Sequence, residues 1–283
     1  MRRGKVFAVL PTLLTLGNAA CGFGAITFAA KVGFDTAAGN ELFFAATLIF
    51  VAMVFDMLDG SAARWARQTT DFGAQLDSLC DALSFGAAPA FLMLQFNKEL
   101  AAKANDYFAF AYFPRFLWVI AALYVVCALL RLARFNVETD DDDSHEFFSG
   151  LPSPAAAGTV ASFPIAITGL QYIAKDPSTR AHQIAEWLIP LTTLILPLIT
   201  FAVACLMVSR IRYSHVFNQL FRGQRPRAHL IQLVFTLAVV FLVPYMALPL
   251  IFCYFAFASP LRAAWSELIS RRMHPQVDKT AEP

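Results

Sequence analysis

The sequence predicts an all-α integral membrane protein, built as a helical bundle of about eight transmembrane spans. Of the 283 residues, 58% are hydrophobic and only 15% are charged, which is more apolar than a soluble domain of this size requires. The apolar residues also lie in long runs, and a helix needs about 20 such residues to cross a bilayer. We expect one transmembrane domain over residues 1–272 and a disordered cytoplasmic tail over the polar residues 273–283.

Eight apolar segments are predicted to form the spans. They lie near residues 8–31, 42–58, 72–96, 114–134, 154–174, 187–208, 229–243 and 245–260. The last two are short and flank Pro244, so they form either a tight hairpin or one broken span. The first run follows Met-Arg-Arg-Gly-Lys, as in a signal peptide, but it continues to Lys31 without a small-residue cleavage site. We therefore interpret it as a retained span.

The distribution of lysine and arginine predicts the orientation in the membrane. With the N-terminus inside, the inner segments hold most of the 22 basic residues, and the outer side keeps Lys31, Lys98, Lys103, Arg115, Lys175 and Arg180. Basic residues are enriched in cytoplasmic loops. The sequence therefore predicts a multi-pass protein of a bacterial-type inner membrane, with both termini in the cytoplasm.

Four aspartates at the inner ends of the second and third spans form what we call the aspartate cluster: Asp56, Asp59, Asp77 and Asp81. Residues three or four apart share one face of a helix, so each pair of carboxylates points one way. Carboxylates at a membrane edge need a compensating charge. Two pairs converging from antiparallel helices suit one or two hard cations such as Mg²⁺ or Mn²⁺.

Glycine and arginine accompany the aspartate cluster at fixed spacing. Gly60 and Gly73 allow a bulky ligand to approach the backbone, and Arg64 can pair with phosphate oxygens. A metal centre of this kind suits phosphate chemistry, and Asp81, the last of the four, is our candidate to take a proton from an alcohol. The alternative is a salt-bridge network with nearby arginines, which is disfavoured because acid outnumbers nearby base.

The pattern Asp-x-x-Asp-Gly-x-x-Ala-Arg, eight residues, then Gly-x-x-x-Asp-x-x-x-Asp resembles the signature of the CDP-alcohol phosphotransferases at every fixed position. Those membrane enzymes transfer a phosphoryl-containing group from a CDP-linked donor to an alcohol and release CMP. The resemblance implies a catalytic domain with a six-helix core, a homodimer, and two metals held by the aspartate cluster with Asp81 as base. It also implies a CDP pocket lined by Asp59, Gly60, Ala63, Arg64 and Gly73.

Three further segments resemble the phosphatidylserine synthase branch of that family. They are residues 11–22, residues 84–90, and residues 131–136 followed by 148–154. This resemblance implies CDP-diacylglycerol and L-serine as substrates, with membrane lipid as a partner and no nucleic acid. A serine carboxylate needs a cation, which Arg131 and Arg134 can supply from one helix face; Asn136 and Ser84 are further serine-binding candidates. The alternative for the two arginines is anchoring at lipid phosphate.

Two other functions stay open from the sequence. The same chemistry with glycerol 3-phosphate, inositol phosphate or choline is one, and a phosphorylated acceptor would be served by the basic residues Arg210, Arg212, Arg222, Arg225 and Arg227. The other is an ion-coupled transporter or channel. It is disfavoured because the aspartate cluster lies in one hairpin and has no counterpart in the second half of the chain.

Overall fold

The computed structural model describes residues 2–32, 40–66, 71–103, 114–138, 148–174, 180–213 and 244–273. The helices are α1 (Arg2–Ala30), α2 (Glu41–Ala66), α3 (Asp71–Asp81), α4 (Ala88–Lys103), α5 (Pro114–Glu138), α6 (Ser153–Ile173), α7 (Arg180–Val208) and α8 (Pro244–Met273). A π-helical segment, Ala82–Ala87, joins α3 to α4. Apart from two strands of two residues each, the regular structure in these ranges is helical, which confirms the all-α prediction.

Six helical segments of the described chain are long and apolar enough to cross a membrane. They are Pro11–Ala30, Glu41–Ala62, Phe72–Leu100, Pro114–Val137, Ser153–Tyr172 and Trp187–Val208, and they confirm the first six predicted spans. The predicted span over 229–243 lies outside the described residues. The one over 245–260 falls in α8, whose apolar part, Met246–Arg262, is shorter. The chain is therefore a multi-pass membrane protein; of the predicted tail, only Met273 lies in the described ranges.

The helix that carries Asp56 and Asp59 is longer than the sequence suggested. The predicted second and third spans, near residues 42–58 and 72–96, leave the polar stretch between them as a loop. In the structure, α2 continues to Ala66 and α3 starts at Asp71. Alanine and arginine favour helix even at polar ends, and the Ser61 hydroxyl donates to the Met57 carbonyl one turn earlier. The helix therefore extends about two turns beyond Asp59.

Small side chains let the helices pack closely. Ala25 and Ala29 of α1 and Ala45 and Ala46 of α2 are all buried in one core. Among the six membrane-spanning segments, the one in α6 is the most enclosed, with 78% of its most apolar stretch buried inside the bundle. Close backbone approach through small residues is the usual basis of helix association in membranes, and it leaves large apolar side chains such as Trp118 and Trp187 exposed on the outside.

A short antiparallel strand pair connects two segments at one end of the bundle. Strand β1 (Phe148–Ser149) pairs antiparallel with β2 (Arg212–Tyr213). The Gly150 N–H donates to the Ile211 carbonyl at 2.9 Å, and the Leu151 N–H donates to the Leu206 carbonyl at 3.1 Å. Gly150 has a φ of +89°, and a β-carbon there would collide with the Met207 carbonyl oxygen, so glycine is required. These contacts tie the start of α6 to the end of α7.

Candidate functional site

The aspartate cluster lies where the C-terminal part of α2 meets α3. One carboxylate oxygen from each of Asp56, Asp59 and Asp77 lies within 4.8 Å of the other two. Asp59 is only 5% exposed, and Asp56 and Asp77 are half-buried. The structure thus brings together three of the four predicted metal ligands. Asp81, one turn further along α3, is not among the three.

Two oxygens of this group lack a hydrogen bond within the described part of the chain. They are Asp59 Oδ2 and Asp77 Oδ1, and both are buried. A buried carboxylate without a counter-charge is destabilising by an amount on the order of several kcal/mol, and three converging carboxylates also repel one another. A divalent cation removes both penalties, and an all-oxygen ligand set is what hard cations prefer. The residues therefore fit a divalent metal.

A side chain of α1 forms a hydrogen bond with Asp81. The Asn18 Nδ2 group donates a hydrogen bond of 2.9 Å to Asp81 Oδ1. Asn18 is fully buried, and its Oδ1 has no hydrogen-bond partner among the described residues. The two residues are 63 positions apart, so the contact depends on how α1 packs against α3. The apolar pattern of the first span did not indicate this pairing.

The π-helical segment begins directly after Asp81 and is bonded from two sides. The Ser84 hydroxyl donates to the Asn18 carbonyl at 2.9 Å. From α5, the buried Tyr124 hydroxyl donates to the Phe85 carbonyl at 3.1 Å. Short π segments inside helices are frequent at functional sites. Ser84, a predicted serine-binding residue, is fully buried, with its hydroxyl in the interface between α1 and this segment.

Gly22 allows α1 to lie against the π-helical segment. A β-carbon at Gly22 would lie 2.7 Å from the Ser84 α-carbon, closer than packed carbon atoms approach. We expect Gly22→Ala to separate these elements and to destabilise the detergent-solubilised protein by roughly 1–3 kcal/mol, as overpacking does. Thermal unfolding measures the effect.

The matched control for this prediction is Gly24→Ala on the same helix. Among the described residues, its β-carbon would meet only the end of the Leu48 side chain, at 3.1 Å, and that end can move. Both substitutions raise helix propensity equally, so the melting temperature should fall more for Gly22→Ala. Equal melting temperatures for the two variants would contradict the close approach.

Arg131 reaches the site from the last turns of α5. Its Nη1 donates to the hydroxyl of Ser153, the first residue of α6, and its guanidinium interacts electrostatically with Asp81 and Asp56. Its Nε is buried and has no hydrogen-bond partner in the described ranges. Arg131 therefore lies beside the aspartate cluster with one buried donor that no described residue satisfies.

Asn136 and Arg134 lie on the same end of α5. The Asn136 Nδ2 group donates to the Ser78 hydroxyl at 2.9 Å, and Ser78 follows Asp77 on α3. Arg134 is half-exposed. Neither Ser78 nor Ser153 was predicted from the sequence as a site residue. For Ser153 a signal was present, because it precedes Pro154 where a helix begins.

The predicted CDP-binding residues lie on the same two helices as the aspartate cluster. Gly60, Ala63 and Arg64 lie on the last turns of α2, and Gly73 lies in the first turn of α3. A β-carbon at Gly60 would meet no described atom within 4 Å. Packing within the described chain therefore does not explain this glycine, and no described residue fills the space where its side chain would be.

The bundle and its cation-fitting acidic site define a multi-pass membrane protein with a candidate metal centre at one end. The profile of the CDP-alcohol phosphatidyltransferase family matches residues 8–196 of the 283, which include the whole aspartate cluster, Arg131 and Ser153. The chain belongs to the CDP-alcohol phosphatidyltransferase family. Members of this family generally depend on divalent metals, in agreement with the ligand set of the site.

Curated relatives resemble about half of the chain. The CDP-diacylglycerol–serine O-phosphatidyltransferase of Mycobacterium bovis is 35% identical over 160 residues, which are 55% of this chain and 49% of the relative. The enzyme of the same name from Helicobacter pylori is 33% identical over 150 residues, 53% of this chain and 54% of the relative. The archaetidylserine synthase of Methanothermobacter thermautotrophicus is 36% identical over 159 residues, 56% of this chain and 58% of the relative. The chain thus spans about half the length of the curated relatives it matches.

Proposed function

We propose that the protein transfers the phosphatidyl group of CDP-diacylglycerol to the hydroxyl of L-serine, giving phosphatidylserine and CMP. The observation that supports this most strongly is the convergence of Asp56, Asp59 and Asp77, with Asp81 and Arg131 beside them, in a chain of this family. The names of the bacterial and archaeal relatives differ in the lipid but both specify serine, which favours serine as the acceptor.

The metal would be held by the aspartate cluster. Asp56, Asp59 and Asp77 supply converging oxygens, and Asp81, one turn along α3, is our proposed ligand for a second ion. Mg²⁺ and Mn²⁺ both suit these oxygen ligands. When bound, the ions neutralise negative charge on the diphosphate and so favour the departure of CMP.

The donor would bind along α2. Its CDP head fits the open space beside Gly60, with Ala63 and Gly73 lining the pocket and Arg64 pairing with the diphosphate. The apolar side chains of Val54, Met57 and Leu58 interleave with the two aspartates of α2 and are 43–52% exposed. These side chains would contact the acyl chains, so the lipid can enter from the side while its head reaches the aspartates.

The acceptor would bind between α3 and α5. Arg131, whose Nε has no hydrogen-bond partner among the described residues, and Arg134 would bind the serine carboxylate. Asn136 and Ser84 are the further serine-binding candidates. Asp81 takes the proton of the serine hydroxyl, and the serine oxygen attacks the phosphorus on the lipid side of the diphosphate. The new bond joins serine to that phosphorus, the bond to the CMP oxygen breaks, and CMP leaves with the electron pair.

We also propose a cytoplasmic position for the site and both termini, in a bacterial-type inner membrane, and a homodimer as in the family. Arg131 and Arg134 lie in the last turns of α5, the end of that helix from which Arg131 reaches Asp81 and Asp56. Arg210 follows the end of α7. Such basic residues favour the cytoplasmic side.

The test is CMP release by the purified protein with CDP-diacylglycerol, a divalent metal and one acceptor at a time. We expect L-serine to raise CMP release well above the rate without acceptor. Glycerol 3-phosphate, inositol phosphate and choline should leave it at that background. CMP release with a phosphorylated acceptor but not with serine would overturn the assignment of serine as the acceptor. No increase in CMP release with any of the four would overturn the enzymatic assignment.

A further inference from the structure

Asp81 lies in a strongly negative environment, although the proposed reaction needs it in one orientation. Its carboxylate interacts electrostatically with Asp56, Asp77 and Asp59. The terminal torsion of an aspartate is broad, so repulsion alone would turn the carboxylate away from its neighbours. A base that takes a proton from a bound alcohol must keep one oxygen within hydrogen-bond reach of that alcohol. A hydrogen-bond donor beside Asp81 would fix one of its oxygens, in addition to the attraction of Arg131 and of an ion bound at the aspartate cluster.

Asn18 is the group in position to do so. Its Nδ2 lies 2.9 Å from Asp81 Oδ1, and because Asn18 is 0% exposed, water does not compete for this bond. An ionised carboxylate only accepts hydrogen bonds, so the amide presents its N–H to Asp81. The bond occupies Oδ1 and leaves Oδ2 as the oxygen that can receive the serine proton.

Asn18 is itself fixed by the segment that follows Asp81. The Ser84 hydroxyl donates to the backbone carbonyl of Asn18. Ser84 can come this close because Gly22 has no side chain. Tyr124 fixes the same segment from α5 through the Phe85 carbonyl. The donor to Asp81 and the backbone after Asp81 are therefore joined in one buried, hydrogen-bonded unit.

We infer that Asn18 is a positioning residue for Asp81, and that Ser84 acts through Asn18 by holding the backbone of α1. This inference rests on the proposed function, in which Asp81 is the base. It gives Asn18 a role in turnover without contact with the metal, the donor or the reacting atoms. The role of Ser84 then follows from its bond to the backbone of Asn18 and does not require that Ser84 bind the serine.

The experiment compares Asn18→Leu, which keeps the shape and removes the donor, with Asn18→Ala and Asn18→Asp. We expect Asn18→Leu to lower the single-turnover rate at saturating serine roughly 10- to 100-fold, the effect of a misplaced catalytic group. The equilibrium binding of CDP-diacylglycerol in Mn²⁺ and the KM for serine should stay near the wild-type values. Asn18→Asp should be slowest, because it adds a like charge beside Asp81.

Asn97→Leu is the matched control. Asn97 is 2% exposed and donates to the Met93 carbonyl within α4, so its replacement removes a buried amide away from Asp81. Its single-turnover rate should equal that of the wild type. Ser84→Ala is a second variant, which leaves the Asn18 side chain intact and removes only the hydrogen bond to its backbone carbonyl. It should lower the rate roughly 2- to 10-fold, the effect of one lost hydrogen bond, with donor binding unchanged.

A role in packing alone predicts the opposite order, in which Asn18→Leu turns over normally and Asn18→Ala is the slowest and least stable variant. That result, or wild-type rates in both Asn18→Leu and Ser84→Ala, would overturn the inference. Asp81→Asn separates this failure from a failure of the proposed function. If Asp81→Asn is inactive while Asn18→Leu turns over normally, the result contradicts only the positioning role of Asn18, and the proposed function stands. If Asp81→Asn is fully active, the assignment of the base is wrong.

Discussion

Asp81→Asn is expected to lower turnover roughly 10²- to 10⁴-fold, the usual contribution of a general base, while the protein still folds and binds CDP-diacylglycerol. Asparagine has the shape of aspartate but cannot take the proton of the serine hydroxyl. It can still accept the hydrogen bond from Asn18 through its carbonyl oxygen, so the buried contact between α1 and α3 is kept. Single-turnover CMP release and equilibrium donor binding measure the two expectations separately.

The control for Asp81→Asn is Glu41→Gln. Glu41 is an acid in the first turn of α2, at the opposite end of that helix from Asp56 and Asp59, and its replacement should leave turnover unchanged. A transporter that used Asp81 as an ion ligand would show no CMP release in the wild type. Wild-type turnover in Asp81→Asn would contradict the assignment of the base.

Asp59→Asn is expected to raise stability in the absence of divalent metal and to abolish most of the stability that the metal adds. Asp59 is 5% exposed, and its Oδ2 has no hydrogen-bond partner among the described residues. In EDTA the substitution removes a buried charge from three converging carboxylates, so the variant should unfold at a higher temperature than the wild type. With saturating Mn²⁺ the wild type should gain stability by binding, and the variant should gain little.

The same variant should lose activity by about 10³-fold, because metal stabilisation of phosphoryl transfer contributes several kcal/mol and each 1.36 kcal/mol is a factor of ten. Thermal unfolding with EDTA and with Mn²⁺, followed by CMP release at a series of Mn²⁺ concentrations, tests both parts. Glu41→Gln should show the wild-type gain in melting temperature. An equal gain in Asp59→Asn would show that the ion does not bind at the aspartate cluster.

Much of the fold was predictable because a membrane span is specified by the length of its apolar run. The first six spans needed no tertiary information for that reason. The extension of α2 to Ala66 was missed because its last turns are polar and resemble a loop in a hydropathy profile. The π-helical segment after Asp81 has no signature in apolar periodicity, and the β1–β2 pair joins segments that are far apart in the sequence.

The site also has a part that could be predicted from local spacing and a part that depends on contacts between distant helices. The convergence of Asp56 with Asp59 and of both with Asp77 follows from helical spacing and a hairpin, which are local properties. The bonds from Asn18 to Asp81 and from Arg131 to Ser153 depend on how α1 and α5 are rotated in the bundle. Gly22 shows the limit most clearly, because its requirement is explained only by the close approach of Ser84.

The central claim is that serine attacks the lipid-side phosphorus directly at the aspartate cluster. Its most direct test is to supply the purified protein with CDP-diacylglycerol, divalent metal and L-serine labelled with ¹⁸O in its hydroxyl, and to follow the label by mass spectrometry. We predict that phosphatidylserine carries the ¹⁸O and that CMP, formed in equal amount, carries none. A serine ester of CMP that carries the ¹⁸O, formed together with unlabelled phosphatidic acid, would show attack at the other phosphorus. CMP release without labelled phosphatidylserine would contradict the proposed reaction.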